Sequence, residues 1–166
     1  GRIGRLSAKK AAIFGPRLIF ADPYVKDDVI IDDIHVRKVD LEELVAESDV
    51  ILIHAPATPE TQYMFNEKLF SLMKQKPIII NCARGSLIDT NALIDALENG
   101  QISGAALDVI DGVPPFAENS PLLSFENLIL TPHSAWYSEE ALISLQRMAA
   151  EEVVRILKGE KPRSLV

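Results

Sequence analysis

The chain has 166 residues, 48% of them hydrophobic, which is enough for one domain with a substantial core or one domain plus an appended helix. A net charge of -7 and a pI near 5.0 disfavour nucleic acid and anionic membrane surfaces, and no basic patch stands out to override that balance. Apolar runs such as Pro77 to Asn81 are strand-sized, no secretory signal opens the chain, and one cysteine, Cys82, makes no intramolecular disulfide; the expectation is a soluble, cytoplasmic protein with Cys82 as a buried, inert thiol.

Gly1-Arg2-Ile3-Gly4 leads into a segment with helical periodicity, as the tail of a Gly-x-Gly-x-x-Gly loop would, its glycines letting backbone N–H groups approach a pyrophosphate. No Met and no strand precede Gly1, so the chain reads as cut at this point. Leu18 to Ala21 reads as a strand ending in Asp22. An acidic side chain there accepts both ribose hydroxyls of an adenosine and repels a 2′-phosphate, favouring NAD over NADP; the alternative is a turn cap before Pro23. The acidic stretches Asp27 to Asp33 and Asp40 to Glu47 read as solvated faces, with Asp40 and Glu43 forming a capping box. Val50 to Ile53 is the next strand. His54, Ala55 and Pro56 follow it in a cofactor-lining turn, although a structural role for His54 is the alternative; His35 is read as structural.

Ile78 to Ile80 is a buried strand that delivers Asn81-Cys82-Ala83-Arg84-Gly85 to its carboxyl end, where open parallel sheets bind ligands. Arg84 can hold a carboxylate bidentately and polarise an adjacent carbonyl; a surface salt bridge is the alternative. Asp89 or Thr90 starts a helix that Asn99-Gly100 ends. Strands at Ala105 to Val109 and Leu128 to Leu130 follow, the second leading into Thr131-Pro132-His133. An imidazole that titrates near neutrality can protonate the alkoxide left by hydride addition to a ketone. A last helix starts at the Ser138 cap and stops at Gly159 and Pro162. Apolar strands alternating with helices predict a doubly wound parallel α/β sheet, covered on both faces and lacking its first strand. The expected organisation is a dinucleotide-binding domain over 1–137, then a helix and tail over 138–166 that return to an absent substrate domain.

The blocks "GRIGR", "ADPY", "HAPATPET", "NCARGSLID", "GAALDV" and "LTPHSAWYSEEA" resemble, in order, the signature blocks of D-2-hydroxyacid dehydrogenases, and "HSAWYSEEA" is similar to the C-terminal-binding-protein (CtBP) branch. The resemblance implies a Rossmann-type fold, NAD as cofactor, and a homodimer that interconverts small 2-oxo and D-2-hydroxy acids, with neither nucleic acid, membrane nor metal involved. It further implies Arg84 and His133 as catalytic residues that, with Trp136, meet the substrate. The dinucleotide would be met by Gly1, Arg2, Ile3, Gly4, Asp22, His54, Ala55, Pro56, Thr61, Cys82, Ala83, Arg84, Asp108, His133 and Ala135, with Asp108 holding the carboxamide. Two alternatives stand beside the enzyme: a corepressor that senses NAD(H), and an NAD sensor without a substrate. Where the family reads Glu-x-Glu-Pro after "LDV", this chain reads Asp111-Gly112-Val113-Pro114, so valine stands where the family has the glutamate that orients the catalytic histidine. Asp111 is the nearest carboxylate, and Glu118 is a poorer substitute because Pro114 and Pro115 constrain the path to it.

Overall fold

A computed structural model describes residues 1–112 and 119–163. The chain divides into two compact units, Gly1–Pro132 and His133–Val166. The first opens on α1 (Arg2–Ala11), which follows Gly1 directly and buries none of its side chains. A short 3-10 turn closes at Gly15 and leads to β1 (Ile19–Phe20).

β2 (Val29–Ile31) and β3 (Ile34–Lys38) then form an antiparallel hairpin. Asp32 and Asp33 close it with φ of 45° and 61°, the consecutive left-handed pair that a two-residue hairpin turn requires. The four aspartates of Asp27 to Asp33 are exposed, as a solvated face requires, and the stretch carries a strand and its turn besides. The β-branched runs on either side of Asp32-Asp33 outweigh the acidic count, because cross-strand pairing uses Val29, Ile31, Ile34 and Val36 while the carboxylates sit at the tip. His35 lies on this hairpin beside Asp28, at 3.0 Å. β1 pairs with β3 in parallel, giving the order β1-β3-β2.

α2 (Leu41–Glu47) begins at the predicted cap, where the Asp40 carboxylate accepts the Glu43 N–H at 2.7 Å. β4 (Val50–Ile53), α3 (Glu67–Phe70), β5 (Ile78–Asn81), α4 (Thr90–Glu98), β6 (Gly104–Leu107) and β7 (Leu128–Leu130) follow. Their four strands make an all-parallel sheet in the order β4-β5-β6-β7. Asp89 is the cap of α4, accepting from the N–H groups of Asn91 and Ala92. Gly100, at φ 61°, follows its last turn.

Strand alternation sets the core. Ile51, Ile53, Ile79, Ala105 and Leu107 are buried in one cluster with Val45, Leu69, Phe70, Leu93 and Ala96 from the helices. The intervening residues Val50, Leu52, Ile78 and Ile129 are 42–65% exposed. The expected cover on both faces is therefore met on one, although these strands are apolar on both. The sheet is also in two pieces, because no ladder among the described residues joins β1 to β4.

The second unit is built on α5 (Glu139–Leu157), capped by Ser138, whose hydroxyl accepts the Ala141 N–H at 3.0 Å. Its start at His133 precedes Ser138, where the sequence reading sets the boundary. After Gly159 the tail folds back on α5, and Arg163 pairs with Glu151 at 2.6 Å and with Glu152 at 3.2 Å. The Arg163–Glu151 and Arg155–Glu160 pairs wall a recess of about 400 Å³ along the helix.

Candidate active site

The start of α1 and the ends of four strands, β1, β4, β5 and β6, carry most of the predicted residues of the first unit. The glycine segment comes first. Gly1 and Gly4 begin α1, and Asp22 lies just past the carboxyl end of β1. One Asp22 oxygen accepts the Tyr24 N–H at 2.9 Å, so the turn-capping role exists, while the other lies 3.9 Å from the Gly1 nitrogen. The cap thus aims the carboxylate at the start of the helix. A Cβ on Gly4 would lie 3.8 Å from the His54 side chain, which places His54 against the same turn. Burial pushes the His54 imidazole below its usual pKa.

The turn after β4 is held internally. Thr61 donates its hydroxyl to the Pro56 carbonyl at 2.7 Å and accepts the Thr58 N–H at 2.8 Å. At the end of β5, fully buried Asn81 organises the next loop: its amide donates to the Arg84 carbonyl at 2.9 Å and its Oδ1 accepts the Ala83 N–H at 2.9 Å. Such an Asx turn satisfies a buried polar side chain and fixes the loop backbone together. Cys82 is exposed, which corrects the expectation of a buried thiol: it lies past the strand, on the loop that Asn81 turns outward. Partial burial and the Asp108 charge both raise its pKa, so the thiol stays protonated and weakly nucleophilic.

Arg84 is exposed. Its guanidinium donates to the Ala83 carbonyl at 2.7 Å and makes no ion pair among the described residues. Asp108 is 4% exposed after β6, accepts the Thr131 hydroxyl at 2.5 Å, and receives its own place from an N–H bond to the Asn81 carbonyl at 3.0 Å.

His133, Ala135 and Trp136 belong to the second unit. His133 adopts a φ of 55°, an uncommon conformation for a residue with a Cβ and one that surrounding structure must hold. Its carbonyl accepts the Trp136 indole N–H at 3.0 Å, and the indole meets Tyr137 edge-on at a centroid distance of 5.5 Å. Val113 and Glu118 lie outside the described residues. Asp111 is described, and its carboxylate accepts the Tyr63 phenol at 2.6 Å. That bond, and the charge behind it, raises the pKa of the phenol.

Sequence reasoning missed Asn81 and Tyr63. Asn81 carried a signal, an amide ending an otherwise apolar strand. Tyr63 carried none, because its partner is 48 residues away.

A helix N-terminus beside an acidic strand end, with a buried aspartate and an arginine loop at neighbouring strand ends, defines a dinucleotide-binding α/β domain of dehydrogenase type. The residues fit the cofactor: Gly4 at the start of α1 leaves room beside His54 for a pyrophosphate, and the Asp22 carboxylate past the end of β1 stands where ribose hydroxyls can donate to it. The chain belongs to the D-isomer specific 2-hydroxyacid dehydrogenase family, whose NAD binding domain model matches residues 1–135. It is 41% identical to the D-3-phosphoglycerate dehydrogenase of Methanocaldococcus jannaschii, over all of this chain and 31% of that protein. It is 39% identical to the glyoxylate reductase of Thermofilum pendens, over all of this chain and 49% of the relative. Among solved structures it resembles the NAD-complexed D-isomer specific 2-hydroxyacid dehydrogenase of Lactobacillus delbrueckii ssp. bulgaricus with a TM-score of 0.87 and 31% identity, covering 100% of this chain and 53% of the other. The chain thus spans a third to a half of the length of these curated relatives.

Proposed function

We propose that the whole protein is an NADH-dependent reductase of small 2-oxo acids that yields D-2-hydroxy acids. The observation that carries this reading is Arg84: an exposed guanidinium at the carboxyl end of a parallel sheet, on a loop fixed by a fully buried asparagine, with no ion-pair partner among the described residues. Such a group is ready to take a substrate carboxylate bidentately and to polarise the neighbouring ketone. NADH, which the glycine turn, Asp22 and Asp108 would hold, would supply the hydride to the carbonyl carbon and leave as NAD. His133 supplies the proton to the oxygen that becomes the alcohol, and removes it in the reverse direction. The substrate class is glyoxylate, hydroxypyruvate, pyruvate or a bulkier 2-oxo acid; relatives named for glyoxylate and for phosphoglycerate support a small, carboxylate-bearing one.

The corepressor reading rests on the single block "HSAWYSEEA". Loss of NADH absorbance with a panel of 2-oxo acids separates the two. Turnover of at least one acid, abolished in Arg84→Met, is the expected result. Tight NADH binding with no turnover of any acid would overturn the reductase and favour the sensor or corepressor.

A further inference from the structure

Tyr63 is held in a left-handed conformation, φ 50°, which a bulky aromatic residue adopts only when its surroundings impose it. Two bonds do so. Its N–H donates to the Ser86 carbonyl at 2.8 Å, and its phenol donates to the Asp111 carboxylate at 2.6 Å. Between those anchors lies Gly85, packed so closely on the peptide joining Ile110 and Asp111 that an added Cβ would sit 2.2 Å from the Ile110 carbonyl carbon. The contacts close a ring: Tyr63 to Ser86, Ser86 to Gly85 along the chain, Gly85 against Asp111, and Asp111 back to Tyr63. Arg84 is the residue next to Gly85, and the Asn81 bond to its carbonyl completes the grip on its backbone.

We propose that Tyr63 and Asp111 are a positioning pair that holds the Arg84 turn in place, and that Asp111 serves this pair instead of standing in for the absent histidine-orienting glutamate. The phenol–carboxylate bond is charge-assisted and spans the two segments that flank the turn. Without it, Asp111 is free to leave Gly85, and the Arg84 turn loses one wall. The cost falls on the step in which Arg84 binds the substrate carboxylate, while proton transfer at His133 and cofactor binding stay as they were. The inference rests on the reading of Arg84 as the group that binds the 2-oxo acid.

The test uses the full-length protein with NADH and glyoxylate, pyruvate or hydroxypyruvate, whichever turns over fastest. Tyr63→Phe, Asp111→Asn and the double variant are each expected to raise KM for that acid about threefold to tenfold, the size of one hydrogen bond to a charged group after partial solvent exposure. The double variant should cost no more than Tyr63→Phe, because the phenol is already gone, and Asp111→Asn, which keeps an acceptor oxygen and loses only the charge, should fall at the low end of that range. The values of kcat, the NADH dissociation constant and the acid limb of the pH profile should hold. If Tyr63→Phe does not fold, Asp111→Asn carries the same expectation by itself. An unchanged KM in the foldable variants, with KM strongly raised in Arg84→Lys, overturns the positioning pair and leaves Arg84 intact. A fall in kcat with a displaced pH limb in Asp111→Asn overturns it in favour of Asp111 as the orienting carboxylate. An Arg84→Lys variant with wild-type KM, or no turnover of any of the three acids, overturns the substrate reading and this inference with it.

Discussion

At the scale of single residues, Asp22 and Val113 carry the sharpest consequences. A 2′-phosphate brought to about 5 Å from the Asp22 carboxylate, at an effective dielectric near 20, meets a repulsion of about 3 kcal/mol, which partial exposure reduces to roughly tenfold to hundredfold in affinity. Fluorescence titration should therefore give an NADPH dissociation constant at least about tenfold above that of NADH, and Asp22→Ser should close most of the gap; equal constants in the wild type would refute the assignment. Val113 stands 20 residues before His133, the interval that the resemblance to the CtBP-like pattern implies for an orienting glutamate. An apolar side chain neither accepts an imidazole N–H nor stabilises the imidazolium, and general acid–base catalysis is worth about 10² to 10⁴-fold. Turnover by the wild type should be slow, and Val113→Glu should raise kcat by at least about tenfold while leaving the NADH dissociation constant unchanged. A wild type turning over at ordinary dehydrogenase rates would contradict this.

At the scale of elements, helix starts were the most legible features, since a cap is a contact between residues two or three apart. Asp40, Asp89 and Ser138 each accept the N–H bonds expected of them. The β2–β3 hairpin was not read, because its turn is made of two aspartates and its strands are short. The Arg84 loop was placed correctly at the end of β5, yet what shapes it was hidden. Gly85 illustrates this: it looks like an ordinary loop glycine, but its missing Cβ lets the Ile110–Asp111 peptide pass directly over it. Gly85→Ala forces backbone apart at about 1–3 kcal/mol, so the melting temperature should fall by up to about 10 °C and KM for the oxo acid should rise. Gly100→Ala, at φ 61° with nothing within 4 Å, should cost only about 1 kcal/mol and leave KM alone. Equal effects of the two substitutions, measured by thermal melts and steady-state kinetics, would show that the close approach at Gly85 has no special weight.

At the scale of the whole molecule, the sheet in two pieces is the dominant fact. In a doubly wound sheet the strand that runs into the glycine turn lies in the middle, and β1 and β4 are the terminal strands of the two ladders here. Ile3, Leu6, Ile13 and Phe14 are exposed around α1, as are Val50, Leu52, Ile78 and Ile129 on the sheet. Each would contribute about 1.5–3 kcal/mol if covered, a sum comparable to the whole stability of an ordinary domain. As an isolated monomer the 166-residue chain should therefore show no sharp, cooperative heat-capacity peak on unfolding. Calorimetry on material proved monomeric by sedimentation checks this, and a single two-state peak would contradict it. The division of labour between sequence and fold follows from the reach of the interactions. Strand and helix periods, the caps, the glycine turn, the acidic strand end and the arginine and histidine loops are all written within a few neighbouring residues, so the sequence by itself determined them, and with them the family. The tertiary structure alone decided which strand face is covered, how Gly85 is overlaid and which residue Asp111 answers to. Those depend on groups tens of residues apart meeting at distances near 3 Å, as Tyr63 and Asp111 do at 2.6 Å, and no local pattern encodes such a meeting.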